Sequence, residues 1–267
     1  MNRGVKIVIL VAVIVAVVAV SVFYIGNRSF FAMSPNKENN SNIKIPVLMF
    51  HHIDPHIPKD LSSTVITPDE FSETLTKIKE DGYTPISMEE MYSIYHDKKS
   101  NIEKPILITF DDGYESNYEY AFPMLKKNKM KANIFIITST VGKKPNLFLH
   151  FSWDEAKEME KSGLIEIYNH TTLHKTADES TNEEFLESVD IAQKEIDINL
   201  GKRKVNAFAY PEGKYNDYLV NKLKEEGYKL QFTVNKGKNT LNDDLDKLKR
   251  FNVPHYDDGE NIMDLIN

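Results

Sequence analysis

Two adjacent carboxylates, Asp111 and Asp112, close the apolar run Ile106-Leu-Ile-Thr-Phe110 and are followed at once by Gly113. Held at the lip of a buried strand, one carboxylate can bind a cation while its neighbour keeps an oxygen for proton transfer. The same tripeptide recurs as Asp257-Asp258-Gly259 after a polar stretch, and with no strand leading in it reads there as a turn. His170 and His174 stand four apart, the spacing that sets two imidazoles on one side of a helical turn within reach of one cation. A carboxylate from another strand end completes a His2Asp set that leaves a position open for water, which suits catalysis better than structure. The chain has no Cys, which excludes thiolate zinc sites, a Cys nucleophile, disulfide scaffolds and a lipid-modified Cys. Neither a GxSxG elbow nor a GxxxxGK[ST] loop is present, so nucleophilic-serine and phosphate-loop chemistry fall away.

The elements that must position these groups are legible from residue 44 onward. Short apolar runs at 46–50, 83–87, 105–110, 132–137, 164–168, 205–210, 229–234 and 248–253 read as strands. Between most of them lie one-sided helical patterns whose starts carry capping boxes: Thr67 with Glu70, Ser87 with Glu90, Ser152 with Glu155, Thr181 with Glu184. Gly82, Gly163, Gly201 and Gly227 stop four of the helices. Such alternation is the pattern of a parallel (β/α) barrel or a doubly wound sheet, whose reactive groups gather at the C-terminal strand ends. They gather there: His51 and His52 follow Phe50, Asp111 and Asp112 follow Phe110, His170 follows Tyr168 closely, Pro211-Glu212-Gly213 follows Tyr210, and His255 follows Val253. Trp153 falls at the first position of a helix and reads as core packing. The charged run 242–246 reads as a solvated turn, and His96 and His150 receive no role.

The chain of 267 residues holds 33 Lys plus Arg against 40 Asp plus Glu, with 41% hydrophobic residues, an ordinary globular composition. A net charge of −7 without a basic stretch excludes a nucleic-acid partner. Residues 1–25 form a separate segment, in which Arg3 and Lys6 precede nineteen residues, 7–25, broken only by Ser21 as a polar position. That run is long enough to cross a hydrocarbon core of roughly 30 Å, and it reads as an uncleaved transmembrane anchor, with a cleaved signal sequence as the alternative. Residues 26–43 are a polar linker, and residues 44–267 are one exported domain carrying a net charge of −10.

Thr109-Phe110-Asp111-Asp112-Gly113 and His170-Thr-Thr-Leu-His174 resemble the TFDDG and H[ST]xxH motifs of the NodB-homology polysaccharide deacetylases, carbohydrate esterase family four. The opening strand from Pro46 to Ile53 and the segment Phe208-Ala-Tyr-Pro-Glu-Gly213 are similar to the poly-N-acetylglucosamine deacetylase branch. The resemblance implies a distorted (β/α) barrel, a divalent metal, zinc, on Asp112, His170 and His174, Asp111 as general base, and the backbone amide of Glu212 as oxyanion donor. It implies an N-acetylated glycan polymer at the cell surface as substrate. Two departures bear on the mechanism. Ala209 stands where the family has an Arg that orients the base, which leaves Asp111 without its cationic partner, and the late LxH motif that supplies an acid is absent. His255 is the candidate acid, with His51 and His52 as alternatives. Two other readings compete: a glycan-binding pseudoenzyme of the same fold, and a metal-dependent amidase acting on a small amide.

Overall fold

Every apolar run expected to form a strand does so. In the computed structural model, which describes residues 43–256 and 262–266, they are β1 (Val47–Phe50), β2 (Thr84–Pro85), β3 (Pro105–Phe110), β4 (Ala132–Ile136), β5 (Ile165–Asn169), β6 (Asn206–Ala209), β7 (Tyr228–Phe232) and β8 (Phe251–Asn252). The apolar run 7–25, nearly all of the linker and the Asp257-Asp258-Gly259 turn lie outside the described residues. Among the described residues no helix is long and apolar enough to cross a membrane.

Seven strands form one parallel sheet in the order β7-β6-β5-β4-β3-β1-β8, and β2 pairs only with the start of β3. The sheet curls until its ends approach: Gln231 N–H donates to Leu245 O at 2.8 Å and Thr233 N–H to Leu248 O at 2.9 Å, joining β7 to the segment that runs into β8. The expected distorted barrel is therefore met as a curled half-barrel of parallel strands, not as a ring of eight. Curling gives the sheet an inside and an outside, and the period-2 alternation of strand side chains sorts the residues between them. Leu48, Phe50, Ile106, Ile108, Phe110, Ile134 and Ile136 pack outward against Phe71, Leu75 and Ile78. Val47, Leu107, Phe135, Ala209, Leu230, Phe232 and Leu248 fill the opposite side. Leu107, Thr109 and Asp111 alternate in one phase, so the strand that buries Leu107 also carries Asp111 inward.

Six helices cover the sheet: α1 (Pro68–Glu80), α2 (Met88–Asp97), α3 (Phe122–Asn128), α4 (Trp153–Lys161), α5 (Asn182–Leu200) and α6 (Asp217–Glu225), and α7 (Ile262–Ile266) packs on α1. All four capping boxes form as read from the sequence, because each Ser or Thr hydroxyl accepts from the third helical N–H while the Glu carboxylate takes the cap's own N–H. Trp153 packs against the outer core, as expected. The box on α5 tests how much local signals contribute. Thr181→Ala removes the acceptor that holds Glu184 N–H at 3.2 Å and lowers stability by about 1 kcal/mol, read as a Tm drop of about 2–4 °C by calorimetry.

Candidate active site and metal centre

The parallel sheet delivers β5 and β6 side by side and β3 one strand away, beyond β4, and the chain turns sharply as it leaves each of the three. Asp111 N–H still donates to Phe50 O at 2.9 Å, so it belongs to the ladder with β1. The next residue, Asp112, takes φ of 71°. Two carboxylates on a pleated strand end would point to opposite faces. Here the left-handed turn re-aims Asp112 instead, breaking the alternation of a regular strand. Gly113 is required by the same turn: at φ of 84° a Cβ would sit 2.9 Å from Ile136 Cγ2.

His170 and His174 converge by a comparable device. The segment between them is an irregular loop, not the helical turn that a spacing of four implies, and Thr171 (φ 68°) and His174 (φ 57°) make the bend. Thr171 N–H donates to Asn169 Oδ1 at 2.8 Å, and Thr172 is tied to Ser188 of α5 through its N–H and hydroxyl. The loop is thus built rather than slack.

Together the two turns place Asp112 Oδ1 3.6 Å from His170 Nε2 and 3.6 Å from His174 Nε2. One ligand atom from each of these three residues lies within 4.8 Å of the others. The donor set fits a divalent cation on two grounds. Asp112 Oδ1 is buried and has no hydrogen-bond partner among the described residues, which is costly for a carboxylate oxygen unless a cation meets it. His170 Nδ1 lies 2.7 Å from Ala209 O and donates to it, so the Nε2 lone pair is left facing Asp112. Burial lowers the His170 pKa to about 4 against the opposing pull of Asp111 and Asp112, so the ring is neutral, the form that ligates.

Asp111 keeps the inward phase of β3, with its Oδ2 4.0 Å from His170 Nε2, and on its other side it meets a partner that the sequence reading lacked. Arg250, from the segment entering β8, is fully buried and forks onto it, Nη1 to Oδ1 and Nη2 to Oδ2, each at 2.7 Å. The fork is fixed from behind by Nε donating to Thr233 O at 2.9 Å and by the Phe135 ring, 5.7 Å from the guanidinium carbon. Ala209 therefore does not leave Asp111 without a cation: the guanidinium arrives from another strand, while the Ala209 carbonyl orients His170. Burial would raise the Asp111 pKa, but Arg250 first, then His170 and His51, outweigh it and hold it at about 2. One signal was present in the sequence. Leu248 and Arg250 share the phase that points inward, and a basic residue in an apolar strand phase needs a buried anion.

The other candidates separate. His255 is taken up elsewhere, with Nδ1 2.8 Å from Glu70 Oε1 at the start of α1 and its N–H on Ser62 O, and it is not one of the clustered metal-binding groups. His52 is buried in the wall, bonded to Ser116 Oγ at 2.9 Å and stacked 3.7 Å from Phe148. His51 stays close enough to Asp111 to help keep it ionised. Glu212 has an exposed side chain and a left-handed backbone (φ 53°) in the tight turn Pro211–Gly213, just past Ala209. His150, given no role from the sequence, lines the groove of about 530 Å³ that leads to Asp112 and His174 between Leu147, Phe148 and Leu173. Tyr114 also lines it, and burial, then the Asp112 charge, push its phenol well up.

Comparison with known proteins identifies the family of the chain. A family model described as polysaccharide deacetylase matches residues 98–231. YxkH of Bacillus subtilis (strain 168), whose name places it in the same family, is 30% identical over 79% of this chain and 71% of its own length. The poly-beta-1,6-N-acetyl-D-glucosamine N-deacetylase of Staphylococcus aureus (strain N315) is 30% identical over 66% of this chain, which spans 63% of that protein. Among solved structures, the Streptococcus pyogenes deacetylase PplD in complex with acetate matches with a TM-score of 0.72 at 28% identity, over 79% of this chain and 93% of that one. IcaB from Ammonifex degensii matches with a TM-score of 0.72 at 28% identity, over 80% and 93%.

The fork makes a thermodynamic prediction. Arg250→Met strands a buried carboxylate and lowers stability by about 3–5 kcal/mol, whereas removing both charges in Arg250→Met/Asp111→Leu recovers most of that loss. Denaturant titration of the four proteins in the cycle measures it, and additive losses would show that the two residues do not act as a pair.

Proposed function

The chain belongs to the polysaccharide deacetylase family, and on that premise we propose that it hydrolyses N-acetyl groups from an N-acetylglucosamine-containing polysaccharide, with a divalent metal held by Asp112, His170 and His174. The observation that carries the metal dependence is the partnerless buried oxygen of Asp112 facing two imidazole nitrogens at equal distance. When bound, such an ion, zinc in this reading, makes a water more acidic and polarises the amide carbonyl. Asp111 is then the base. Arg250 keeps it ionised at any physiological pH but also makes it a weak proton acceptor, which is why the reading needs a cation beside it. Asp111 takes the proton of the attacking water, and that proton is the one the departing amine nitrogen requires. The backbone amide of Glu212 is assigned to the developing oxyanion, since its turn is anchored beside His170 by the Ala209 carbonyl.

The reading as a binding-only relative rests on a missing cationic partner for Asp111 and on the absent LxH motif, and Arg250 removes the first of these supports. The proposal includes placement outside the cell, tethered through residues 7–25, with the glycan at the cell surface or secreted.

Acetate release from N-acetylglucosamine oligomers, β-1,4-linked, β-1,6-linked or from peptidoglycan, tests the reading. The full chain releases acetate from at least one, a chelator abolishes the release and a divalent metal restores it. His170→Ala loses tight metal binding, while Asp111→Asn keeps the metal and loses about a hundredfold or more in rate. An Asp111→Asn protein with parental rate would assign the base elsewhere, and release that persists in chelator would remove the metal from the mechanism.

A further inference from the structure

A second pocket, of about 370 Å³, lies at the other end of the sheet. It opens beside the first residues of β7, between the C-terminal ends of α2 and α6 and the turn at 243–246, whereas the catalytic groups sit at the C-terminal ends of β3 and β5. The turn read from its charges as simply solvated is in fact half-buried, with Asp243 held by Lys249 at 3.0 Å and Asp246 by Lys224 at 2.6 Å.

Three features give the pocket a ligand chemistry. Tyr95 is buried to 3% exposure, lines the pocket, and its hydroxyl has no hydrogen-bond partner among the described residues. A phenol left unpaired inside a folded protein loses its water without a hydrogen bond in return, so the position is unfavourable unless something outside the fold meets it. Tyr92 adds a half-buried ring, whose face suits the C–H face of a pyranose. The rim offers both signs: Lys229 and Asp244 are exposed, and the remaining charges are mostly spent on one another. A site with acceptors and donors, an aromatic face and no dominant charge selects a neutral polyhydroxylated ligand over an ion. Its volume lies within the roughly 300–1,000 Å³ of small-molecule sites.

We propose that this pocket, built on Tyr92, Tyr95, Lys229 and Asp244, binds a sugar residue of the same polysaccharide at a distance from the catalytic end. The choice of a saccharide rests on the proposed function, and the site adds to it a means of holding long chains. A polymer engaged at both ends of the sheet binds its second site at the high effective concentration set by the intervening residues. Short oligomers that reach only the groove gain nothing.

The test uses Tyr95→Phe, which deletes one oxygen and keeps the ring, with Tyr92→Ala as a second variant in the full chain. Each is assayed for acetate release on a trimer and on long N-acetylglucosamine polymer, and for direct binding of a β-linked hexamer by calorimetry. Tyr95→Phe raises KM for the polymer and weakens hexamer binding by about three- to tenfold, the scale of one hydrogen bond. It leaves kcat, the trimer KM and the metal content unchanged, and its Tm equals or exceeds the parental value because no folded contact is lost. Unchanged polymer KM and hexamer binding in both variants would overturn the proposal, as would a clear Tm loss in Tyr95→Phe, which would show the hydroxyl serving the fold. A parental protein that releases no acetate from any oligomer would instead refute the catalytic reading, and calorimetry would still decide the pocket.

Discussion

The fork between Arg250 and Asp111 is the interaction on which the rest of the site depends. Two charges are taken out of water inside a curled sheet, and such a pair is stable only with near-ideal geometry and satisfied remaining donors. Both conditions hold: two bonds of 2.7 Å join the groups, and Nε donates to the Thr233 carbonyl. The curl is a precondition, since an open sheet would leave no interior in which β3 and the entry to β8 could face one another. In return the fork fixes the end of β3, from which Asp112 turns toward the two histidines. Removing it would loosen the base and the metal ligand next to it together.

Backbone strain is concentrated where this geometry is made. Asp112, Thr171, His174 and Glu212 all take positive φ without being glycine, and they stand just past β3, β5 and β6. Each such residue costs on the order of 1–3 kcal/mol, and it persists because neighbouring contacts over-determine it. Asn169 and Ser188 hold the histidine loop, while at the Pro211–Gly213 turn Gly213 sits so close to Val234 that a Cβ would lie 2.8 Å from its backbone nitrogen. The approach of Asp112 to the ring nitrogen that Asp111 also faces, and the convergence of two histidines, are both products of these left-handed residues. The fold spends stability at the strand ends to aim side chains that regular geometry would aim elsewhere.

What could be read in the sequence was whatever acts locally. The apolar runs, the capping boxes and the placement of Asp111, Asp112, His170 and His174 at strand ends follow from periodicity and caps, and all recur in the fold. What could not be read depends on pairing across the sheet. Arg250 lies 139 positions from Asp111, and only the curl brings them together. His255 stands after the last strand, where a catalytic group would be sought, yet Glu70, three residues into the box that caps α1, draws its ring away. The left-handed turn at Asp112 was hidden for a different reason: Asp tolerates positive φ more readily than most residues, so its presence before Gly113 allows the turn without announcing it. Likewise the 242–246 run looked solvated because its charges are visible in the sequence while their partners Lys224 and Lys249 are not.

The most direct measurement of this account is anomalous diffraction at the zinc edge from crystals of the protein grown with zinc. A single peak is expected about 2.0–2.2 Å from Asp112 Oδ1 and from Nε2 of both His170 and His174, with Asp111 off the metal and still forked on Arg250. A peak coordinated by Asp111, or zinc bound firmly elsewhere while the Asp112 cluster stays empty, would contradict it.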